Sequence, residues 1–333
     1  MHTTTGPTIA AAAAAAYHSD HRSGTAHPHH AAGPDPGTDM RPAADRFGLG
    51  VAAITPFAAD GSVDLPRLVA HARRCLAGGC TSVTLFGTTG EGASLGFRER
   101  ARMLDAMVAA GFDMRAQVLG GVAASAIEDA AAQARHIYAA GGRGVLLTPP
   151  FYFKGPDDEG LYAWFSRVIE GSGDARGVIL YHLPSLTAVP LSVELIGRLK
   201  RAFPGVVVGV KDSGGVWAYT EALLAAHPDL HILVGDERLL ARAVRHGGSG
   251  AINGFSNFCT PRLLPMIERG EEVPAISALV DLLLRYPVTP GIKALVAHVS
   301  RDPEYLRTAP PLVDLPAGDV RTLAAALDRL EQS

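Results

Sequence analysis

The chain is poor in lysine and cysteine and has no long apolar run, and each shortage narrows the class of protein. Its three cysteines, Cys75, Cys80 and Cys259, form neither a CxxC pair nor a disulfide framework, so a reducing compartment, the cytoplasm, is predicted. No apolar run approaches the length of a membrane span. A net charge of -3 gives no reason to expect a nucleic acid or an anionic membrane as partner. Of the 30 basic residues only four are lysines, so a lysine is a rare choice wherever it stands.

The first 45 residues differ in composition from the rest of the chain. They hold an alanine run and six of the 13 histidines, mixed with Gly, Pro, Asp, Ser and Thr. A signal peptide is not predicted, because no basic leader precedes a longer apolar segment with a cleavage site. This composition buries little apolar surface, so residues 1–45 are predicted to be a disordered tail.

After the tail, short apolar runs alternate with amphipathic or alanine-rich segments of helical length. Eight such units in succession predict parallel strands joined by right-handed crossovers, and eight is the number that closes a (β/α)8 TIM barrel. A doubly wound open sheet is the alternative, but no Gly-x-Gly-x-x-Gly turn follows the first run. The predicted strands are residues 48–57, 82–87, 116–122, 144–149, 177–184, 206–213, 231–237 and 250–257. The predicted helices are residues 64–77, 97–110, 126–140, 159–171, 192–202, 217–226 and 238–246, and an eighth after residue 260.

Two boundaries divide this organisation into parts. Residues 46–257 are predicted to hold the barrel strands and helices, and residues 258–333 the last barrel helix and a C-terminal helical extension. Serines mark two helix starts: Ser192 precedes Glu194, and Ser125 stands three residues before Glu128. We therefore predict both serines as helix N-caps.

Lys211 is the lysine whose position predicts chemistry. It alone ends a continuous apolar run, residues 206–213, which is typical of a buried parallel strand. An amine at the mouth of a barrel lies half out of water, and burial favours its neutral form. Only the neutral amine attacks a carbonyl to form a Schiff base. The alternative is a lysine that extends from a strand end into solvent without a chemical role.

Other polar side chains end neighbouring predicted strands. Active sites of such barrels lie at the C-terminal ends of the strands. Strand ends carry Thr88 and Thr89, Tyr152, Tyr181, and Asn253 besides the lysine. A lysine, two tyrosines and a pair of threonines around one mouth predict carbonyl chemistry through a Schiff base.

Two motifs carry a family resemblance. They are Gly87-Thr88-Thr89-Gly90-Glu91, and Tyr181-x-x-Pro184 followed about thirty residues later by Gly209-Val210-Lys211. With these motifs the chain resembles the dihydrodipicolinate synthase and N-acetylneuraminate lyase family of pyruvate-dependent class I aldolases. The resemblance runs from about residue 47 to past residue 300.

The resemblance implies a role for each matched residue. Lys211 would form the imine with the keto carbon of pyruvate, and Tyr181 would relay protons. Thr88, Thr89 and Gly90 would hold the pyruvate carboxylate through hydroxyl and backbone N–H groups. The backbone around Ile252 would complete the pocket.

The resemblance also implies an oligomer. Thr88 would link Tyr181 to Tyr152, whose family equivalent often reaches across a subunit interface, so a dimer of dimers is expected. The spacing from Tyr152 to Glu159 is longer than the family pattern, and Phe153 competes for the same position.

One position departs from the synthase that names the family. That enzyme has an arginine two residues after the motif proline, where Leu186 stands here. Leucine cannot pair with the carboxylate of aspartate semialdehyde. On the substrate side, His182, Leu186 and Asn253 are predicted contacts, and Ser256 is a candidate partner beside Asn253 for hydrogen bonds to a polyol. The alternatives are a packed histidine, and an asparagine or Ser256 that satisfies the backbone of its own loop.

The sequence thus predicts a lyase that adds pyruvate to an aldehyde or releases it from a 2-oxo or sugar acid. No metal or organic cofactor is predicted, because a lysine, tyrosine and threonine set is sufficient for this chemistry. Three alternatives stay open: 4-hydroxy-tetrahydrodipicolinate synthase proper, a keto-deoxy sugar acid dehydratase that uses the same lysine, and a non-catalytic 2-oxo acid binding relative.

Overall fold

A computed structural model describes residues 40–332 of the chain. The predicted disordered tail lies outside the described residues except for its last six positions. Those positions include a 3-10 turn, Ala43–Asp45. Within the described range, no helix is both long and apolar enough to cross a bilayer.

Eight parallel strands close into a barrel in which each strand pairs with its neighbours in sequence, and the last pairs with the first. This confirms the predicted (β/α)8 TIM barrel. Every strand is buried on both faces, as parallel strands covered by helices must be. The strands are β1 Gly48–Ala52, β2 Ser82–Leu85, β3 Val118–Val122, β4 Gly144–Leu147, β5 Val178–His182, β6 Val207–Asp212, β7 His231–Val234 and β8 Gly250–Asn253.

Helices follow the strands around the outside of the barrel. The main ones are Leu65–Ala77, Phe97–Ala109, Ile127–Ala139, Asp158–Gly171, Val193–Ala202, Trp217–Ala226, Leu240–Arg245 and Thr260–Arg269. Short helices Met114–Gln117 and Pro184–Thr187, and 3-10 turns Gly92–Ser94, Glu237–Leu239 and Phe255–Asn257, connect them.

The C-terminal extension is helical, as the sequence predicts. It contains helices Pro274–Leu283, Val288–Ser300 and Ala317–Gln332, and a 3-10 turn Pro303–Leu306. Leu323 and Leu327 of the last helix have no exposed surface. The extension therefore shares the buried core of the chain.

One of the two predicted serine caps is correct. Ser192 caps its helix, because its Oγ accepts a hydrogen bond from the Leu195 N–H at 2.9 Å. The prediction for Ser125 is wrong: Ala126 is the N-cap, without a side-chain bond. The Ser125 Oγ instead accepts from the N–H groups of Phe151 and Tyr152 in the loop after β4, both at 3.3 Å. A tertiary contact has replaced the local cap.

An irregular register positions the strand that carries the lysine. Val178 pairs with Val207, but Ile179 pairs with Gly209, so one extra residue of β6 stands opposite β5. After this bulge, Tyr181 pairs with Lys211. Ile179, Tyr181 and Ile252 share the cluster that fills the barrel, whereas Leu180 and Val210 belong to the core under the helices. Alternation along both strands therefore directs Tyr181 and Lys211 to the interior.

Candidate active site

Lys211 and Tyr181 lie side by side at the C-terminal end of the barrel. The Lys211 Nζ donates a hydrogen bond to the Tyr181 Oη at 3.2 Å and lies 4.3 Å from the centre of its ring. Lys211 is only 5% exposed, and Tyr181 is buried as well. The amine is thus enclosed rather than extended into solvent, which favours the Schiff-base interpretation over the solvent-exposed one.

Thr88 adds a third group to this pair. Its Oγ1 lies 3.4 Å from the Tyr181 Oη, so a chain of polar atoms runs from the lysine through the phenol to the threonine. Two backbone bonds close the turn that presents Thr88: Glu91 N–H to Thr88 O, and Gly92 N–H to Gly87 O, both at 3.0 Å. The sequence-predicted residues Lys211, Tyr181 and Thr88 are therefore brought together.

The turn after β2 is tightly built. Phe86 has a left-handed φ of 60° before it, and Glu91 has φ 54° at its end. Glycine is required just beyond it, because a β-carbon at position 92 would lie 1.8 Å from the Phe86 carbonyl oxygen. Arg100 supports the same region: it is buried, and it donates to the carbonyls of Leu95, Gly121 and Gly92.

The other predicted carboxylate-binding residues are in the same turn. The carbonyl of Gly90 accepts a hydrogen bond from the Thr55 Oγ1 at 2.7 Å. Thr89 faces the end of β8, since a β-carbon on Gly254 would lie 3.8 Å from its Oγ1. Ile252 of β8 is fully buried in the barrel interior. These residues line one end of the barrel with Thr88, and their substrate contacts stay predictions.

Ser213 is a site residue that the sequence reasoning missed. Burial alone raises the pKa of the Tyr181 phenol, but the charge of Lys211 and hydrogen bonds from Thr88, Lys211 and Ser213 outweigh it. The pKa of Tyr181 is therefore lower than the usual value for tyrosine. Ser213 stands two residues after Lys211, and period-two alternation along the strand was the signal for it.

His182 lies on the other side of β5 from Tyr181, which favours the packed-histidine alternative over the substrate contact. Its ring stacks on Tyr219 of the outer helix Trp217–Ala226 at 4.0 Å, and its Nδ1 accepts from the Leu191 N–H at 3.1 Å. Burial lowers the pKa of His182, although Asp212 opposes the shift. The packed-histidine alternative describes this position, because neighbouring residues of a strand face opposite sides.

Asn253 serves the backbone of its own loop, as the alternative proposed. Its Oδ1 accepts from both the N–H and the Oγ of Ser256, at 3.0 and 2.7 Å. Its Nδ2 is buried and has no hydrogen-bond partner among the described residues. The amide therefore keeps a donor, and the substrate contact stays a prediction.

Leu186, Tyr152 and Phe153 stand apart from the buried groups. Leu186 is 58% exposed on the short helix after β5. Tyr152 and Phe153 are each 75% exposed, and their rings contact each other at 5.4 Å. Within the described chain, the Thr88 hydroxyl contacts Tyr181 and no hydrogen bond joins it to Tyr152. The role of Tyr152 across an interface stays a prediction.

Glu237 is a buried acid that interacts electrostatically with Lys211. Burial raises its pKa to about 7, although the backbone N–H groups of Glu237 and Phe255 donate to it and oppose the shift. The folded chain therefore keeps a proton between about pH 4.5 and 7 that the unfolded chain has lost. Stabilisation from this proton is complete below pH 4.5 and disappears as the pH rises through 7.

We expect Glu237→Gln to remove this pH dependence. The free energy of unfolding of the wild type should fall by on the order of 3 kcal/mol between those two pH values through this group. Urea unfolding at about pH 5 and about pH 8 measures the difference. Glu272→Gln, at a half-exposed surface carboxylate, is the control. An equal pH dependence in Glu237→Gln and the wild type would contradict the assignment.

The described residues contain no group of three or more His, Cys, Asp or Glu side chains arranged to hold a metal ion. The polar atoms that the barrel mouth presents are an amine, hydroxyls and backbone groups. Such a set can form an imine, move a proton and bind an anion.

Comparisons with known proteins agree with the resemblance seen in the sequence. The model of the dihydrodipicolinate synthetase family matches residues 46–327. An uncharacterized DapA-like lyase of Chloroflexus aurantiacus is 34% identical over 297 residues, or 86% of this chain and 98% of that protein. A 4-hydroxy-tetrahydrodipicolinate synthase of Parasynechococcus marenigrum is 32% identical over 86% of this chain and 96% of that protein. The crystal structure of a dihydrodipicolinate synthase from Agrobacterium tumefaciens is 51% identical, with a TM-score of 0.84 over 86% of this chain and 99% of that one.

Proposed function

Because the chain belongs to the dihydrodipicolinate synthetase family of lyases, we propose that it joins pyruvate to an aldehyde, or splits the product, through an imine on Lys211. The observation that carries the proposal is the buried contact chain from the Lys211 Nζ to the Tyr181 Oη and on to the Thr88 Oγ1. Family membership makes the chain a lyase of the class I aldolase type. The residue roles and the substrate are the proposed part.

The proposed reaction begins at the Lys211 amine. The amine attacks the keto carbon of pyruvate, and the carbinolamine loses water to form an imine. The imine draws electrons from the methyl group, which loses a proton to give an enamine. The enamine carbon attacks the aldehyde carbon, a C–C bond forms, and the new alkoxide takes a proton. Hydrolysis of the imine returns the lysine, and the same steps reversed cleave the product.

Tyr181 is the proposed proton carrier in these steps. Its hydroxyl lies within hydrogen-bond reach of the amine, and its pKa is lowered by the Lys211 charge and hydrogen bonds despite burial. A phenol with a lowered pKa gives and takes a proton more readily near neutral pH. The imine nitrogen itself is the electron sink, so this chemistry requires no cofactor.

The carboxylate of pyruvate would bind at the turn of Thr88, Thr89 and Gly90. Hydroxyl and backbone N–H groups of such a turn are suited to an anion. Bound there, the carboxylate would place the keto carbon between the turn and the Lys211 amine. This binding mode is supported by the contact between Thr88 and Tyr181.

The partner of pyruvate is the less defined half of the substrate. The relatives favour aspartate semialdehyde, since two of the three compared proteins are dihydrodipicolinate-type synthases. Leu186 disfavours it, because it offers no donor to a second carboxylate at the position where the synthase has arginine. A coupled assay with pyruvate and aspartate semialdehyde tests whether the protein is the synthase or a lyase for another aldehyde. A catalytic efficiency of about 10⁴ M⁻¹s⁻¹ or more would identify the synthase.

Two further proposals concern the assembly and the location of the protein. The exposed aromatic pair Tyr152 and Phe153 supports an oligomer in which one subunit completes the site of another. The cytoplasm is the proposed location, on the cysteine content alone.

The alternative functions have distinct products. A dehydratase would release water without pyruvate among its products, and a binding protein would be stabilised by 2-oxo acids without turnover.

We expect borohydride reduction in the presence of pyruvate to leave a reduced adduct on Lys211. Peptide mass spectrometry would locate it, with the surface lysine Lys200 as the internal control. No adduct on Lys211 in a folded protein would contradict the proposal and favour the dehydratase or the binding protein. An adduct would justify a screen of aldehydes and sugar acids.

A further inference from the structure

The last residue of the Thr88 turn forms an ion pair that the proposed reaction does not use. Glu91 and Lys293 contact each other, and both side chains are 0% exposed. Lys293 belongs to the helix Val288–Ser300 of the C-terminal extension. The pair therefore joins the turn after β2 to a part of the chain about two hundred residues away.

Both members of the pair also bind the segment that follows this helix. The Lys293 Nζ donates to the carbonyl of Arg307, and the Glu91 Oε2 accepts from the N–H of Ala309 at 2.7 Å. The Lys293 ammonium lies 4.4 Å from the centre of the Phe57 ring as well. Backbone and aromatic contacts thus surround the two charges where water is excluded.

A buried ion pair is an inefficient way to stabilise a fold. The attraction between the charges is offset by the cost of removing both from water, and apolar residues of similar volume commonly serve as well. Burial lowers the pKa of Lys293, and the Glu91 carboxylate opposes that shift. The pair does, however, restrict the position of its members in a way that apolar packing does not.

The position that it restricts is the end of the carboxylate-binding turn. Glu91 has a left-handed backbone, and its N–H donates to the carbonyl of Thr88 at 3.0 Å. Left-handed φ is unfavourable for a residue other than glycine unless surrounding contacts hold it. The ion pair supplies such contacts, so a shift of the Glu91 side chain would change the backbone next to Thr88 and Thr89.

We propose that Glu91 and Lys293 are positioning residues that hold the Thr88 turn in the geometry that binds the carboxylate of a 2-oxo acid. The C-terminal segment at Arg307 and Ala309 is part of this device, because it binds both charged groups. This inference rests on the proposed function, in which the turn receives the carboxylate of pyruvate. Neither residue touches the substrate, so both act through the turn.

The test uses Glu91→Gln and Lys293→Met in the full chain. Gln keeps an oxygen for the Ala309 N–H, and Met keeps most of the lysine volume, but each variant removes one charge. We expect KM for pyruvate to rise about 10-fold in each, because a displaced turn loses roughly one hydrogen bond to the carboxylate. We expect kcat at saturating pyruvate to stay within about 3-fold, because Lys211 and Tyr181 are untouched.

Stability must be separated from positioning. Leu327→Ala in the last helix is the control, since it removes buried apolar surface from the extension and leaves Glu91 and Lys293 in place. It should lower Tm and leave KM for pyruvate unchanged. The double variant Glu91→Gln/Lys293→Met carries no unpaired buried charge. Its KM for pyruvate provides the test if a single variant does not fold.

The outcomes are distinct. A raised KM in the folded variants, with the control unchanged, supports the inference. A KM within 2-fold of wild type in the folded single or double variants overturns it. An equal rise in KM in Leu327→Ala also overturns it, because stability alone would then account for the effect. If the wild-type protein forms no borohydride-trapped adduct with pyruvate, the proposed function itself fails.

Discussion

We expect Lys211→Ala to abolish turnover, with kcat reduced by about 10⁴-fold or more, because no other group can form the imine. Steady-state kinetics with pyruvate and the identified partner substrate measure the loss. Lys211→Met retains the buried volume and should lose as much activity, which separates chemistry from packing. Lys200→Ala, at a surface lysine paired with Asp229, is the matched control and should keep wild-type activity.

Two readouts make the Lys211 prediction specific. Borohydride trapping with pyruvate should vanish in both Lys211 variants, while circular dichroism and Tm show a folded protein. Retention of full activity by Lys211→Ala on the true substrate would rule out the imine mechanism. If Lys211→Ala loses both activity and folding, the activity of the folded Lys211→Met variant provides the test.

The second large effect is expected for Tyr181→Phe. Removal of the phenol should lower kcat by roughly 10²- to 10⁴-fold, the usual range for a lost proton-transfer group. The Tyr181 hydroxyl contacts the Lys211 amine and the Thr88 hydroxyl, so the variant also breaks the contact chain between them. Tyr138→Phe is the matched control, because Tyr138 is likewise buried and its hydroxyl donates to the backbone carbonyl of Arg176, away from Lys211 and Thr88.

The pH profile distinguishes a proton carrier from a packing residue. The pKa of Tyr181 is lowered by the Lys211 charge and three hydrogen bonds despite burial. As the pH rises through the pKa of Tyr181, the phenol becomes phenolate and can no longer donate a proton. The wild-type profile of kcat should therefore decline at a pH below the usual tyrosine value near 10. Tyr181→Phe should lack this decline, and its persistence in the variant would assign it to another group.

The order of strands was predictable because it depends on local patterns. Each of the eight apolar runs contains a strand, and the alternation of such runs with amphipathic or alanine-rich helical segments specifies a barrel of parallel strands. Predicted strands extended too far at their C-terminal ends, since residues 53–57 and 183–184 were included but lie beyond the ladders. Loops that descend into the mouth are buried too, and burial alone does not distinguish them from strands.

The site was predictable only where a residue type is rare or a motif is specific. Lys211, Tyr181 and Thr88 were identified by position and resemblance, and the structure brings Lys211 and Thr88 each within hydrogen-bond reach of the Tyr181 hydroxyl. For His182 the sequence left a substrate contact and a packed histidine open. Its side of β5 follows from alternation, but only the placement of Tyr181 in the interior shows which face is which.

The sequence by itself determined the barrel and the order of its strands, and it singled out Lys211 as the proposed reactive amine, because these follow from the pattern of apolar runs and from one scarce residue. The tertiary structure alone decided two things: the β6 bulge that pairs Lys211 with Tyr181, and the buried ion pair between Glu91 and Lys293. Each depends on groups distant in sequence or on a one-residue shift of register. Such contacts leave no local pattern, because they arise only when the closed barrel and the C-terminal extension have excluded water from the same space.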